Sequence, residues 1–183
     1  GTNGDQISLK NFFLISDNTY KIETLKFSDG SLIDLSHGIT LQGTNNAGET
    51  LYGTDFADNL TGSIGNDTIN GIDGNDTLAG GKGSDIINGV NGNDSYIFNI
   101  GDGQDTIYDN IGNDQIIFGA GITKDDIHLI SDYGNNYSLI VKIGTNGDQI
   151  RLNEFSRYGD NNYKIETLKF ADGSIIDLSH EIV

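Results

Sequence analysis

The chain has 183 residues, of which only 35% are hydrophobic and 26 are glycine, so side-chain packing alone is a poor source of stability. Asp and Glu number 27 against 10 Lys and Arg; the formal net charge of −17 repels nucleic-acid phosphates and anionic membranes and leaves cations as the natural partner. Cysteine is absent, which excludes disulfides and thiolate metal sites, and no apolar run is long enough to span a bilayer.

An acidic, glycine-rich composition also suits a solvated disordered tail, so the decision falls to pattern. Residues 1–39 reappear at an offset of 143 as residues 144–182, with 28 of the 39 positions identical. No charged-then-apolar leader opens the chain, and the duplication suggests a window cut from a longer array, with residues 1–43 as the end of a preceding module. Alternating apolar and polar residues over 22–27 and 31–35, joined through Ser28-Asp29-Gly30, predict an antiparallel hairpin.

From Thr44 the period changes to nine, with an acid sixth and an apolar residue eighth in each frame. Frames begin at Thr44, Gly53, Gly62, Gly71, Gly80 and Gly89. Their acids are Glu49, Asp58, Asp67, Asp76, Asp85 and Asp94, and their apolar residues Leu51, Leu60, Ile69, Leu78, Ile87 and Tyr96. After a two-residue insertion at Phe98-Asn99, frames from Ile100 and Asp109 carry Asp105 and Asp114 sixth and Ile107 and Ile116 eighth. Glycine stands fourth at Gly65, Gly74, Gly83, Gly92, Gly103 and Gly112, where a positive φ is cheap only for glycine. Ala47 and Phe56 hold that place in the earliest frames, which predicts less regular first turns with weaker sites.

Beyond residue 117 the sequence predicts a β-rich flank over 118–183. Strands are expected over 127–131 and 138–143, a second hairpin over 165–170 and 174–178, and one short helix capped by Thr123 and Asp126.

A loop of six residues followed by a strand of three reverses the chain every nine residues, so alternate frames stack. One sheet then points Leu51, Ile69, Ile87 and Ile107 inward, and the other Leu60, Leu78, Tyr96 and Ile116. The acids fall into two columns spaced by about 4.8 Å, the inter-strand distance. At an effective dielectric of about 20, each neighbouring pair repels by roughly 3 kcal/mol. Residues 44–117 hold 12 acids against one base, Lys82. Calcium reverses the sign of this repulsion, because it accepts six to eight carboxylate and carbonyl oxygens in loose geometry.

Gly80-Gly81-Lys82-Gly83-Ser84-Asp85-Ile86-Ile87-Asn88 resembles, at every specified position, the nonapeptide of the RTX (repeats-in-toxin) family. Ile165-Glu166-Thr167-Leu168-Lys169-Phe170-Ala171-Asp172-Gly173 is similar to the haemolysin-type calcium-binding-related region that follows such arrays. The resemblance implies an all-β right-handed parallel β-roll with small antiparallel β-rich flanks, in a protein exported by a Gram-negative type I system. It further implies four to six Ca2+ ions, each taking carbonyls from the first and third residues of one turn and the second and fourth of its neighbour, plus both sixth-position aspartates. The candidate main-chain donors are then Gly62, Ser63, Ile64 and Gly65; Gly71, Ile72, Asp73 and Gly74; Gly80, Gly81, Lys82 and Gly83; and Gly89, Val90, Asn91 and Gly92. The candidate carboxylate pairs are Asp67 with Asp85, Asp58 with Asp76, and Asp76 with Asp94, while Glu49, Asp105 and Asp114 depart from the regular pattern at the margins. Asp55, Asp73, Asp102 and Asp109 lie outside the sixth position and read as turn formers, with supplementing a site as the alternative.

Rival chemistries fail on spacing. No EF-hand glutamate follows Asp73-Gly74-Asn75-Asp76, and Lys82 is followed by glycine where a phosphate loop needs Ser or Thr. A glycosidase needs a pocket that separates two carboxyl pKa values, whereas these acids are equivalent rungs, so no enzyme is expected. His37, His128 and His180 read as hairpin or surface residues, and Asn59-Leu60-Thr61 matches a glycosylation sequon that the repeat generates by itself. The expected partners are calcium and neighbouring modules of the same protein. The alternative is a carbohydrate-binding or auxiliary module of a secreted polysaccharide-modifying enzyme or adhesin, using Tyr133, Tyr137, Tyr158 and Tyr163 as stacking surfaces.

Overall fold

The computed structural model describes residues 24–26, 28–34, 36–44, 48–132, 134, 137–155 and 165–179. They divide into two units, Gly1–His37 and Gly38–Val183. In the first, strands β1 (Thr24–Lys26) and β2 (Leu32–Asp34) pair antiparallel, with Leu25 opposite Ile33. Gly30 turns the hairpin with φ +87°, and Asp29 accepts the Ser31 N–H at 2.9 Å. The outer ends of the predicted strands, Ile22 and Phe27 on one side and Leu35 on the other, lie outside the described residues.

The second unit opens with nine strands that alternate between two sheets: β3 (Thr40–Gln42), β4 (Thr50–Tyr52), β5 (Asn59–Thr61), β6 (Thr68–Asp73), β7 (Thr77–Ala79), β8 (Ile86–Asn91), β9 (Ser95–Phe98), β10 (Gln104–Tyr108) and β11 (Asp114–Phe118). Odd strands run in the order β3-β5-β7-β9-β11 and even strands β4-β6-β8-β10, all parallel. Leu60, Leu78, Tyr96 and Ile116 stand opposite one another in one sheet, and Leu51, Ile69, Ile87 and Ile107 in the other, as the nine-residue period predicts. Leu60, Ile69, Leu78 and Ile116 are fully buried, each contributing about 1.5–3 kcal/mol over exposure. Leu51 is only half-buried, consistent with irregular first turns, and β3 adds Leu41 one turn earlier than the predicted frames.

The flank departs from the expectation of purely antiparallel structure. Strand β12 (Ile127–Asp132) does pair antiparallel with β13 (Ser138–Ile143), and β13 antiparallel with β14 (Asp148–Leu152). However, β14 pairs parallel with β10, and β15 (Ile165–Lys169) pairs parallel with β11, so both roll sheets continue into the flank. Strand β16 (Ile175–Asp177) closes the second hairpin against β15. The physical reason is the open edge at the last turn: β10 and β11 carry unpaired N–H and C=O groups that two flank strands satisfy.

At the Phe98-Asn99 insertion aromatic side chains enter the core. Phe98 packs edge-on to Phe118 with centroids 6.4 Å apart, and Phe118 lies 5.2 Å from Phe170. The predicted short helix is a single 3-10 turn, Lys124–Asp126, with Thr123 N–H and Oγ1 both donating to Asp126 Oδ2 at 2.8 and 2.7 Å. Among the described residues there is no α-helix, and no helix long and apolar enough to cross a membrane.

Candidate metal centre

The strand register places the sixth-position acids in two ladders. On one edge Glu49 N–H donates to Asp67 Oδ1, Asp67 N–H to Asp85 Oδ1 and Asp85 N–H to Asp105 Oδ1, at 2.7, 2.7 and 3.0 Å. On the other, Asp58 N–H donates to Asp76 Oδ1, Asp76 N–H to Asp94 Oδ1 and Asp94 N–H to Asp114 Oδ1, at 2.9, 2.8 and 2.7 Å. Asp114 N–H then donates to Glu166 Oε2 at 2.7 Å, so a flank glutamate takes the aspartate's place at the ladder's end. All the ladder aspartates are buried.

Each aspartate thus spends Oδ1 on a neighbouring turn; the turns differ in what happens to Oδ2. In the frames from Gly53 and Gly62 the second residue donates its N–H to the aspartate of its own turn: Thr54 to Asp58 Oδ2, and Ser63 to Asp67 Oδ2, at 2.5 and 3.0 Å. In the frames from Gly71, Gly80 and Gly89 the second residues, Ile72, Gly81 and Val90, have φ of +89°, +91° and +80°. Their N–H groups make no such bond, and Asp76 Oδ2, Asp85 Oδ2 and Asp94 Oδ2 are buried without a partner. A β-branched residue at positive φ costs on the order of 1–3 kcal/mol, so two of these turns hold strain to keep the carboxylate bare.

The bare oxygens face the first-position glycines. A Cβ on Gly71 would stand 2.1 Å from Asp76 Oδ2 and 3.2 Å from the Gly89 carbonyl oxygen. Beside Gly62 the same space holds Asp67 Oδ2 and the Gly80 carbonyl, and beside Gly53 it holds Asp58 Oδ2 and the Gly71 carbonyl. Carboxylate and carbonyl oxygens therefore converge beside these glycines.

Burial pushes the carboxyls of Asp58, Asp85 and Asp94 above the usual range. Asp76 is pushed up to about 7 by burial, reinforced by repulsion from Asp94, Asp58 and Asp73. Burial likewise takes Asp105 to about 8 and Asp114 to about 7. Buried, unpartnered anionic oxygens are costly unless a cation meets them. An all-oxygen set of carboxylates and carbonyls fits a hard divalent ion such as calcium.

The other candidate donors are less exclusively arranged. The Lys82 and Asn91 carbonyls accept Gly65 and Gly74 N–H, while the Ser63 carbonyl accepts Lys82 N–H and the Val90 carbonyl accepts those of Asn110 and Ile111. Gly65, Gly74, Gly83, Gly92 and Gly103 have the predicted positive φ. Gly112 does not; it is required there by close approach, since a Cβ would lie 1.8 Å from the Gly92 carbonyl oxygen. Both Glu49 oxygens already accept hydroxyls, from Thr44 and from Ser63. Ile64 meets Lys82 in an isolated bridge at the rim, and the side chain of Asp73 bonds Asn91 Nδ2 at 2.8 Å.

Two features go beyond what the sequence pattern singled out. Asp109, taken as a turn former, is buried beside the ladder, and its carboxylate, that of Asp94 and that of Asp114 place oxygens within 4.8 Å of one another. The positive φ at second positions was legible only in Gly81 of the full nonapeptide. Of the proposed sugar-stacking residues, Tyr137 is exposed, while Tyr133, Tyr158 and Tyr163 lie outside the described residues, as does His180. His37 and His128 are exposed.

Comparison with known families agrees with this geometry. The haemolysin-type calcium binding protein related domain matches residues 1–37 and 139–180. Four copies of the RTX calcium-binding nonapeptide repeat match residues 44–71, 61–96, 70–103 and 101–123. No curated protein matches the chain. A parallel β-roll in nine-residue register, carrying ladders of buried aspartates and matched by both families, makes this chain an RTX calcium-binding repeat protein.

Proposed function

We propose that the chain is a calcium-folded structural module of an exported bacterial RTX protein, toxin or adhesin, and not a catalyst. The observation that carries this is the file of buried, unpartnered Oδ2 oxygens on Asp76, Asp85 and Asp94. In this reading Asp58, Asp67, Asp76, Asp85 and Asp94 supply the carboxylates and the glycine-rich loops supply the carbonyls. Four to six ions bind between stacked turns. Bound calcium supplies positive charge that turns the repulsion within each column into attraction.

If each site is filled at ten times its dissociation constant, linkage contributes about 1.4 kcal/mol per ion. Four ions then contribute about 6 kcal/mol, comparable with the whole stability of a small domain. Extracellular calcium sites are tuned to about 0.1–1 mM, so the segment stays unfolded in a low-calcium cytosol and folds outside the cell. We assign residues 44–117 to the roll, extended by β3 at Thr40–Gln42, 118–183 to its cap and the residues up to His37 to the end of a preceding module.

Far-UV circular dichroism of the purified chain, titrated from chelator to millimolar calcium with magnesium as control, tests the reading. A steep gain of β-signal with calcium alone is expected. A spectrum already folded in chelator and unmoved by calcium would leave a self-sufficient solenoid whose aspartates only shape turns.

A further inference from the structure

Beside Gly53, Gly62 and Gly71 the space pairs a carboxylate oxygen with a main-chain carbonyl, Asp58 Oδ2 with Gly71, Asp67 Oδ2 with Gly80 and Asp76 Oδ2 with Gly89, while beside Gly80 it holds Asp85 Oδ2. Beside Gly89 the pairing changes. A Cβ there would meet Asp94 Oδ2 at 2.3 Å, the Tyr96 hydroxyl at 2.1 Å and Asp109 Oδ2 at 3.1 Å, so a second carboxylate and a phenol enter the space. Asp109 holds the first position of its frame, where the five frames from Gly53 to Gly89 have glycine.

We propose that Asp109 provides a side-chain ligand to a terminal calcium site, shared with Asp94 and Asp114, whose construction differs from that of the sites along the roll. Asp94 is fully buried and its Oδ2 has no partner, so an anionic oxygen already points into this space. Calcium holds its oxygen ligands at about 2.3–2.6 Å, so two oxygens on one ion stand no more than about 5 Å apart. The oxygens of Asp94, Asp109 and Asp114 meet that limit at 4.8 Å.

Tyr96 is the positioning residue. Its ring occupies the eighth, inward position that Leu60 and Leu78 fill elsewhere, and its hydroxyl donates to Asp109 Oδ2. The hydroxyl is thereby satisfied in the core, and the Asp109 carboxylate is aimed at Asp94. With three carboxylates in place of two, this site leaves one negative charge uncompensated by Ca2+ and favours a trivalent ion of the same size.

The inference rests on the calcium-binding reading, and two measurements on the full chain separate them. A calcium isotherm by equilibrium dialysis should show one site at least tenfold weaker in Asp109→Asn than in the wild type. Terbium luminescence excited through tyrosine should fall by half or more in Tyr96→Phe, with the number of bound terbium ions unchanged, because the sensitising phenol sits against the ion. An isotherm for Asp109→Asn that superimposes on the wild type, or undiminished emission from Tyr96→Phe, overturns the terminal site. Should Asp109→Asn not fold in calcium, the Tyr96→Phe emission decides alone. A wild-type chain that binds no calcium overturns instead the reading beneath it.

Discussion

Two kinds of turn share one roll. At Gly53 and Gly62 the second residue keeps an ordinary φ and its N–H satisfies the aspartate of its own turn. At Gly71, Gly80 and Gly89 the second residue has a positive φ, the N–H is turned away, and Oδ2 is left bare. The ladder of Oδ1 bonds and the file of buried eighth-position side chains run through both. The orientation of a single peptide thus separates a turn that completes its own hydrogen bonding from one whose carboxylate oxygen is left unpartnered.

The largest effect should come from filling the space beside a bare oxygen. Gly71→Ala would drive a methyl to 2.1 Å from Asp76 Oδ2. It should cost about 3 kcal/mol in calcium and raise the calcium midpoint at least tenfold in a dichroism titration. Gly101→Ala, at φ +84° with open space around it, should cost about 1 kcal/mol and leave that midpoint unchanged.

Neutralising one acid in each kind of turn should give opposite signs without calcium. Asp76→Asn keeps an oxygen for the Asp58 N–H and removes a buried charge, so its melting temperature in chelator should rise while its calcium midpoint rises about tenfold. Asp58→Asn faces an amide NH2 toward the Thr54 N–H, two donors without an acceptor, so its melting temperature in chelator should fall. Equal signs would erase the distinction between the turns.

Next in size is pH. Asp76 and Asp114 are raised to about 7, and Asp105 and Asp109 to about 8, from an ordinary 3.8, in each case mainly by burial. Between those values the metal-free fold holds protons that the unfolded chain has released. Its stability therefore falls as pH rises from about 4 through 7–8. Melts in chelator should show more structure at pH 5.5 than at pH 8, and calcium, competing with those protons, should bind more weakly at pH 6 than at pH 8.

The smallest expected effect is relief of strain. Val90→Gly places the residue suited to φ +80° in that turn and should stabilise the calcium form by about 1 kcal/mol, net of glycine's entropy. A thermal melt in saturating calcium measures it; a lower melting temperature would mean that the Val90 turn is unstrained.

What the sequence determined by itself was everything that repeats with the backbone's own period. An apolar residue every nine positions decides that Leu60, Leu78 and Ile116 share one sheet and Ile69, Ile87 and Ile107 the other, because a fixed loop and strand length leaves no other register. Equivalent positions stack, so the acid columns follow from the same arithmetic. The tertiary structure alone decided the matters that depend on which atoms meet across turns. Nothing in Ile72 or Val90 as residue types calls for a positive φ, yet the φ each adopts settles whether an oxygen is bare. Asp109 reads as an ordinary turn aspartate until packing brings it against Tyr96 and Asp94. The flank strands β14 and β15 pair parallel with the roll because its last turn leaves two open edges, a demand made by the assembled sheet and not by the residues of those strands.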